Sequence, residues 1–155
     1  MSQSVLPLFD TERLYMAYRY SKTIKILSII DIIFNCFYLM VNYIYMIPLL
    51  LAWTGYYGAK KFKSSYTLIY LIYNVICTIG RISFSAYQFY YIYHNNLEEY
   101  YQTANFELFF SIFYFLFSMY IIRIITQFYK LITSFTQEEL NKLRYCQFNV
   151  TYIFW

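Results

Sequence analysis

The stretch that decides the fold is residues 44–70, IYMIPLLLAWTGYYGAKKFKSSYTLIY: an apolar run ends at Ala59, Lys60, Lys61 and Lys63 follow, and a second apolar run begins at Tyr66. Two apolar segments separated by a short basic break read as a helical hairpin whose turn carries the cations. Working outward, the apolar runs fall at about residues 24–42, 44–59, 66–93 and 106–129. Arg13, Arg19, Lys22 and Lys25 precede or open the first run, and Lys130, Lys142 and Arg144 follow the fourth. The connectors at Asn42 to Tyr43 and at His94 to Asn105 hold no lysine or arginine. This is the positive-inside pattern of four crossings with both termini in the cytoplasm. The expected fold is an all-α, integral membrane four-helix bundle, a single membrane domain over residues 1–155 with a cytoplasmic tail at 130–155.

The chain has 155 residues, 61% hydrophobic and 13% charged. Spans of the roughly 20 residues needed to cross about 30 Å of hydrocarbon consume nearly all of it. No separate soluble domain fits. The net charge of +4 sits at helix ends rather than in a basic patch interleaved with aromatics, so anionic lipid headgroups of the inner leaflet are the expected partner and nucleic acid is not. The excess of Tyr (22) and Phe (16) over Gly (3) needs no binding surface to explain it. Phe, Tyr, Ile, Asn and Lys are the residues that A+T-rich codons write most easily, which points to a protist, a parasite or a large DNA virus as source. Cys36 and Cys77 lie in apolar runs and Cys146 in the tail, so no disulfide is expected. No cleavable signal peptide is read at the start, and the first span acts as its own insertion signal.

Read as one helix, the first two runs would measure ~54 Å, far beyond the bilayer core. Two short spans joined by a tight turn near Asn42, with Pro48 a few residues on, keep the lysines on one side. Residues 1–23 read as a short helix on the inner headgroups, with Asp10 and Thr11 as candidate caps. The third run is longer than a span needs, so it tilts or projects. Thr136 and Glu139 have the spacing of a capping box for a last helix through about Arg144, and Val150 to Trp155 is apolar enough to return to the membrane surface.

An ionisable residue inside a span costs about 2.5–3.5 kcal/mol at the midplane, so Asp31, Arg81, Glu107 and Arg123 call for partners. Depth along the helices pairs Asp31 with Arg123 near the inner face, and Arg81 with Glu107 near the outer face. Polar residues recur at steps of three and four, at Ser28, Asp31, Asn35, Tyr38 and Asn42 in the first run and at Asn74, Thr78, Arg81, Ser85 and Gln88 in the third. Each set forms one helical stripe. Ala52, Gly55 and Ala59 form a small-residue face suited to close helix approach. A stripe of this kind either specifies bundle assembly through interhelical hydrogen bonds or lines a path for a small solute between the first and third helices. Assembly is the expected role, because a transport site in so short a chain needs oligomerisation or discontinuous helices.

No catalytic residues, cofactor or metal ligands are expected. His94 and Glu98 have i,i+4 spacing, but two ligands do not make a catalytic metal site. No phosphate-binding glycine loop, hydrolase signature or paired-cysteine site occurs.

Gly55, Tyr56, Tyr57, Gly58, Ala59, Lys60 and Lys61, followed by Ser64, Ser65, Leu68 and Tyr70, resemble the second-span end, basic inner loop and third-span start of tetraspanins. The resemblance covers residues 55–75. It implies a four-span layout and lateral organisation of other membrane proteins. Tetraspanins carry a large cysteine-rich loop between the last two spans, whereas residues 94–105 here are short and contain no cysteine. The expected function is therefore non-catalytic, in membrane organisation or assembly, cellular or viral, with self-association or other membrane proteins as partners. The alternative is a small channel or transporter subunit that uses Asp31 and Arg81.

Overall fold

The computed structural model describes residues 8–40, 43, 46–95 and 97–145. Five α-helices make up the described chain: α1 (Leu8–Leu39), α2 (Met46–Lys61), α3 (Ser64–His94), α4 (Tyr101–Ser134) and α5 (Gln137–Arg144), with a 3₁₀ turn at Glu98–Tyr100 before α4. The readings placed on Asn42, Cys146 and the apolar end Val150 to Trp155 lie outside the described residues.

The helices contribute to two units, residues 1–71 with 124–155, and residues 72–123. In the first, α1 runs unbroken for 32 residues, so the separate surface helix expected before residue 24 is its opening turns, and Asp10 and Thr11 lie inside it rather than capping it. The reason is a continuous buried stripe at Leu14, Ala17, Ser21, Ile24 and Ser28, whose steps of three and four cross the expected boundary without a Gly or Pro to interrupt them. Against this stripe pack α2 and the short α5. Ser21 Oγ donates to the carbonyl of Ala59 at 2.8 Å, and Tyr20 donates to Gln127 Oε1 on α4 at 2.7 Å.

The α2–α3 turn is only two residues long. Lys63 N–H donates to Gly58 C=O at 3.0 Å, the six-to-one bond that closes a helix C-terminus when the residue after it is left-handed. That residue is Phe62, at φ 50°. A bulky side chain there costs roughly 1–2 kcal/mol, and burial of the Phe62 ring, 6.0 Å from that of Phe128, offsets it.

Helix α5 starts as the sequence indicates. Glu139 N–H donates to Thr136 Oγ1 and Thr136 N–H donates to Glu139 Oε2, a complete capping box. Leu140 and Leu143 are buried, and Arg144 Nε donates to Lys61 C=O at 3.0 Å, which fastens the segment after α4 onto the end of α2. Its exposed face carries a Glu138–Lys142 pair at 2.8 Å. That hydrogen bond, with the lysine charge, holds the Glu138 carboxyl below its usual range.

The second unit is an antiparallel pair formed by the later part of α3 and the earlier part of α4. Tyr93 stacks on Tyr101 at 4.5 Å and donates to Asn105 Oδ1 at 3.0 Å, and Ser111 donates to Ser85 Oγ at 2.6 Å. Among the described residues of this unit, the buried ones are small, namely Thr78, Ala104 and Ser118.

Among the described residues, only α3 and α4 are helices long and apolar enough to cross a membrane, and 17% of the most apolar window of each is buried. Two of the four expected spans fall short. Helix α2 has 16 residues, a rise of about 24 Å, and α1 carries Lys25 and Asp31 within its apolar part and Lys22 just before it.

Candidate functional site

Two constellations gather the residues that the sequence singles out. In the first unit, the small-residue face of α2 meets α1 and α3. Ala52 and Ala59 are fully buried. Gly55 faces both neighbouring helices at short range: a Cβ there would lie 2.5 Å from Ser28 Oγ and 2.6 Å from the Tyr70 ring. Gly58 is equally constrained, because its Cβ would meet the Thr67 backbone nitrogen at 2.8 Å. Nothing but hydrogen fits at either position.

Tyr70, wholly buried, donates its hydroxyl to Asp31 Oδ2 at 2.5 Å. Asn35 Nδ2 donates to the Asp31 carbonyl one turn back. The α1 stripe thus brings the half-buried carboxyl group of Asp31 to a phenol of α3. Ser28 Oγ is buried without a hydrogen-bond partner. Tyr70 gave no signal as a site residue, since it is one of 22 tyrosines and nothing in its neighbours marks it as the buried one.

In the second unit, Arg81, Ser85, Gln88, Glu107, Ser111 and Tyr114 line an open cavity of about 470 Å³, with Phe110, Phe113 and Phe117 as its apolar wall. The Arg81 guanidinium lies 4.2 Å from the centroid of the Tyr114 ring, within the range of a cation–π contact. Arg81 and Glu107 therefore face one cavity, with the cation held by a ring. Within this unit the α3 stripe is met by α4. Its counterpart, Glu107, Ser111, Tyr114 and Ser118, has the same three-and-four step and is legible in the sequence once the surrounding phenylalanines are set aside.

Arg123, the last residue of this unit, is exposed, and Asp31 belongs to the first unit. His94 is exposed and stacks on Tyr90 at 5.3 Å. No family model matches the chain, and neither a characterised protein nor a solved structure is detectably similar to it.

Proposed function

We propose that this chain is a multi-pass integral membrane protein, crossing the bilayer with α1 to α4 and keeping both termini on the cytoplasmic side, and that it acts without catalysis in the organisation or assembly of a cellular or viral membrane. The observation that carries the reading is the exposure of α3 and α4. An apolar core helix of a soluble protein is mostly buried, whereas these two bury 17% of their most apolar windows, with Phe84, Phe109, Phe113 and Leu116 each above 60% exposed. Apolar faces this continuous belong against lipid or another protein. The charges agree with this orientation: every lysine and arginine except Arg81 and Arg123 lies in the sequence at or beyond the turn-side end of an apolar run, the pattern expected where that side faces anionic inner headgroups. Helix α2 crosses at its length if the bilayer thins around it and Lys60 and Lys61 snorkel. The three-helix junction at Gly55 and the paired stripes in the hairpin are devices for fixing helices against one another, which supports an organising role.

Topology is tested with glycosylation acceptor sites in microsomes, one in a lengthened 94–105 connector and one in an extended C-terminal tail. Modification of the connector alone is expected. Efficient modification of the tail overturns the orientation, and modification of neither overturns the α3–α4 crossing. The channel or transporter reading draws on the polar cavity beside Arg81. Flux above empty liposomes that changes with Asp31→Asn or Arg81→Gln, in a folded protein, would favour it.

A further inference from the structure

We infer that the groove beside the α2–α3 turn, lined by Trp53, Thr54, Tyr57 and Tyr66 and headed by Lys63, is a site for one anionic phospholipid. Its phosphate sits at the Lys63 ammonium and the start of an acyl chain lies against the aromatic rings. The inference deepens the membrane reading above and rests on it. Lysines at a turn attract anionic headgroups diffusely, whereas this geometry makes a place for a single molecule. All five residues belong to the unit that contains the turn.

Tyr57 of α2 and Tyr66 of α3 meet edge to face with their centroids 5.0 Å apart. The Lys63 ammonium lies 5.8 Å from the first centroid and 5.7 Å from the second, within the range of a cation–π contact. Two rings thus hold one charge at the mouth of the groove. Among the described residues this ammonium has no ion pair, and contact with ring faces leaves N–H donors of an ammonium available to a phosphate. Lys60, 5.7 Å from the Tyr56 centroid, adds a second positive charge at the end of α2. Trp53 precedes Lys60 by seven residues, about 10 Å along the helix axis, and is 54% exposed. Where the lysines meet the headgroups, the indole therefore stands at the level of the first acyl carbons. From cation to aromatic wall, the groove follows the order in which a phospholipid passes from phosphate to acyl chain. Its volume of about 300 Å³ is at the low end for small-molecule sites, room for the phosphate and glycerol end while the rest of the lipid stays in the bilayer.

Two other occupants fit less well. A sterol uses the rings but brings only a hydroxyl to Lys63. A zwitterionic phospholipid brings its own ammonium towards two lysines. Charge complementarity selects a lipid whose headgroup is negative overall.

The test reads the groove through its own indole. The chain has two tryptophans, Trp53 and Trp155, so the full-length Trp155→Phe protein reports from Trp53 alone and serves as the parent. It is reconstituted at low density in phosphatidylcholine vesicles containing a minor fraction of phosphatidylglycerol, with bromine on the acyl chains of one lipid or the other at the same mole fraction. Bromine quenches indole fluorescence on contact. Brominated phosphatidylglycerol is expected to associate with Trp53 about fivefold better than brominated phosphatidylcholine, the equivalent of about 1 kcal/mol for a basic residue near an anionic surface. Lys63→Gln is expected to bring this preference towards unity. Lys22→Gln is the charge-matched control, because the bond from Ser21 to the Ala59 carbonyl sets Lys22 at the level of Lys60 but on α1, and it is expected to keep most of the preference. Equal losses in the two variants, with helicity retained, overturn the site and leave only diffuse attraction. An absent preference in the parent overturns it as well. So does quenching that cholesterol relieves equally in the parent and in Lys63→Gln, which gives the groove to a sterol. If neither brominated lipid quenches Trp53, the indole does not meet the bilayer, and the membrane reading of α2 falls together with the site.

Discussion

The junction around Gly55 and the hairpin around Gly80 are built on opposite terms, although both place a glycine within an apolar helix beside a polar stripe. At the junction, a Cβ on Gly55 or Gly58 would run into Ser28, Tyr70 or Thr67 at under 3 Å, whereas one on Gly80 meets nothing within 4 Å. The first unit buries whole side chains, among them Tyr70, Leu14 and Ile24, while the buried residues among those described in the hairpin are Thr78, Ala104 and Ser118. Polar groups follow the same division. Asp31 is half-buried and held by a phenol, whereas Arg81 and Glu107 are exposed and open onto a cavity. One region derives its specificity from contacts within the chain, and the other leaves its contacts available to lipid or a partner.

The largest effect that bears on this contrast is expected at the junction. Gly55→Leu must displace Ser28 and Tyr70 together, and overpacking of this kind costs 1–3 kcal/mol or more, so a loss of about 3 kcal/mol is expected. The measurement is the denaturation midpoint in mixed detergent micelles, with circular dichroism to show that the helices themselves persist. An unchanged midpoint would mean that α1, α2 and α3 do not converge at this residue, and the contrast would fail at its stronger side.

A smaller loss is expected from Tyr70→Phe, which keeps the ring that fills the junction and removes only the hydroxyl donated to Asp31. A hydrogen bond contributes about 0.5–1.5 kcal/mol, rising to about 3 kcal/mol when its partner is charged, and a loss within that span is expected from the same denaturation assay. Combining Tyr70→Phe with Asp31→Asn should give less than the sum of the single effects, since both act on one bond. Additive effects would place the stabilising contribution of Asp31 elsewhere.

How far the sequence reveals this division differs by region. Gly55, Ala59 and Ala52 declare close packing through their spacing, and Thr136 with Glu139 declares its cap, because both signals are local and depend on residue type alone. The start of α1 is also written in the sequence, as the stripe Leu14, Ala17, Ser21, Ile24, but the basic residues between these positions make the segment resemble a surface helix. Gly58 and Phe62 are harder to read. Their constraint comes from a two-residue turn, a tertiary fact that residue type does not encode, and Phe is a poor candidate for a left-handed position. The buried Tyr70 and the exposed Tyr87 have the same chemistry and similarly apolar neighbours, so only packing tells them apart. On α4 the Glu107, Ser111, Tyr114 and Ser118 stripe is hidden by the phenylalanines around it, and pairing it with α3 requires the register that the Ser85–Ser111 bond supplies.

The smallest expected effect is also the one that tests the open side of the contrast. Gly80→Ala adds a methyl group where no atom lies within 4 Å, so there is no steric cost within the chain. Alanine is favoured over glycine in a helix interior by up to about 1 kcal/mol on scales measured in water, and lipid on the added methyl is neutral. Stability in micelles is therefore expected to stay level or rise by a few tenths of a kcal/mol up to that limit, in the opposite direction to Gly55→Leu. If Gly80→Ala instead weakens self-association or capture of a membrane partner while the isolated chain keeps its midpoint, this face is covered by a closely approaching helix. The hairpin would then be a second tight junction completed in trans, and the glycines of the two regions would share one purpose.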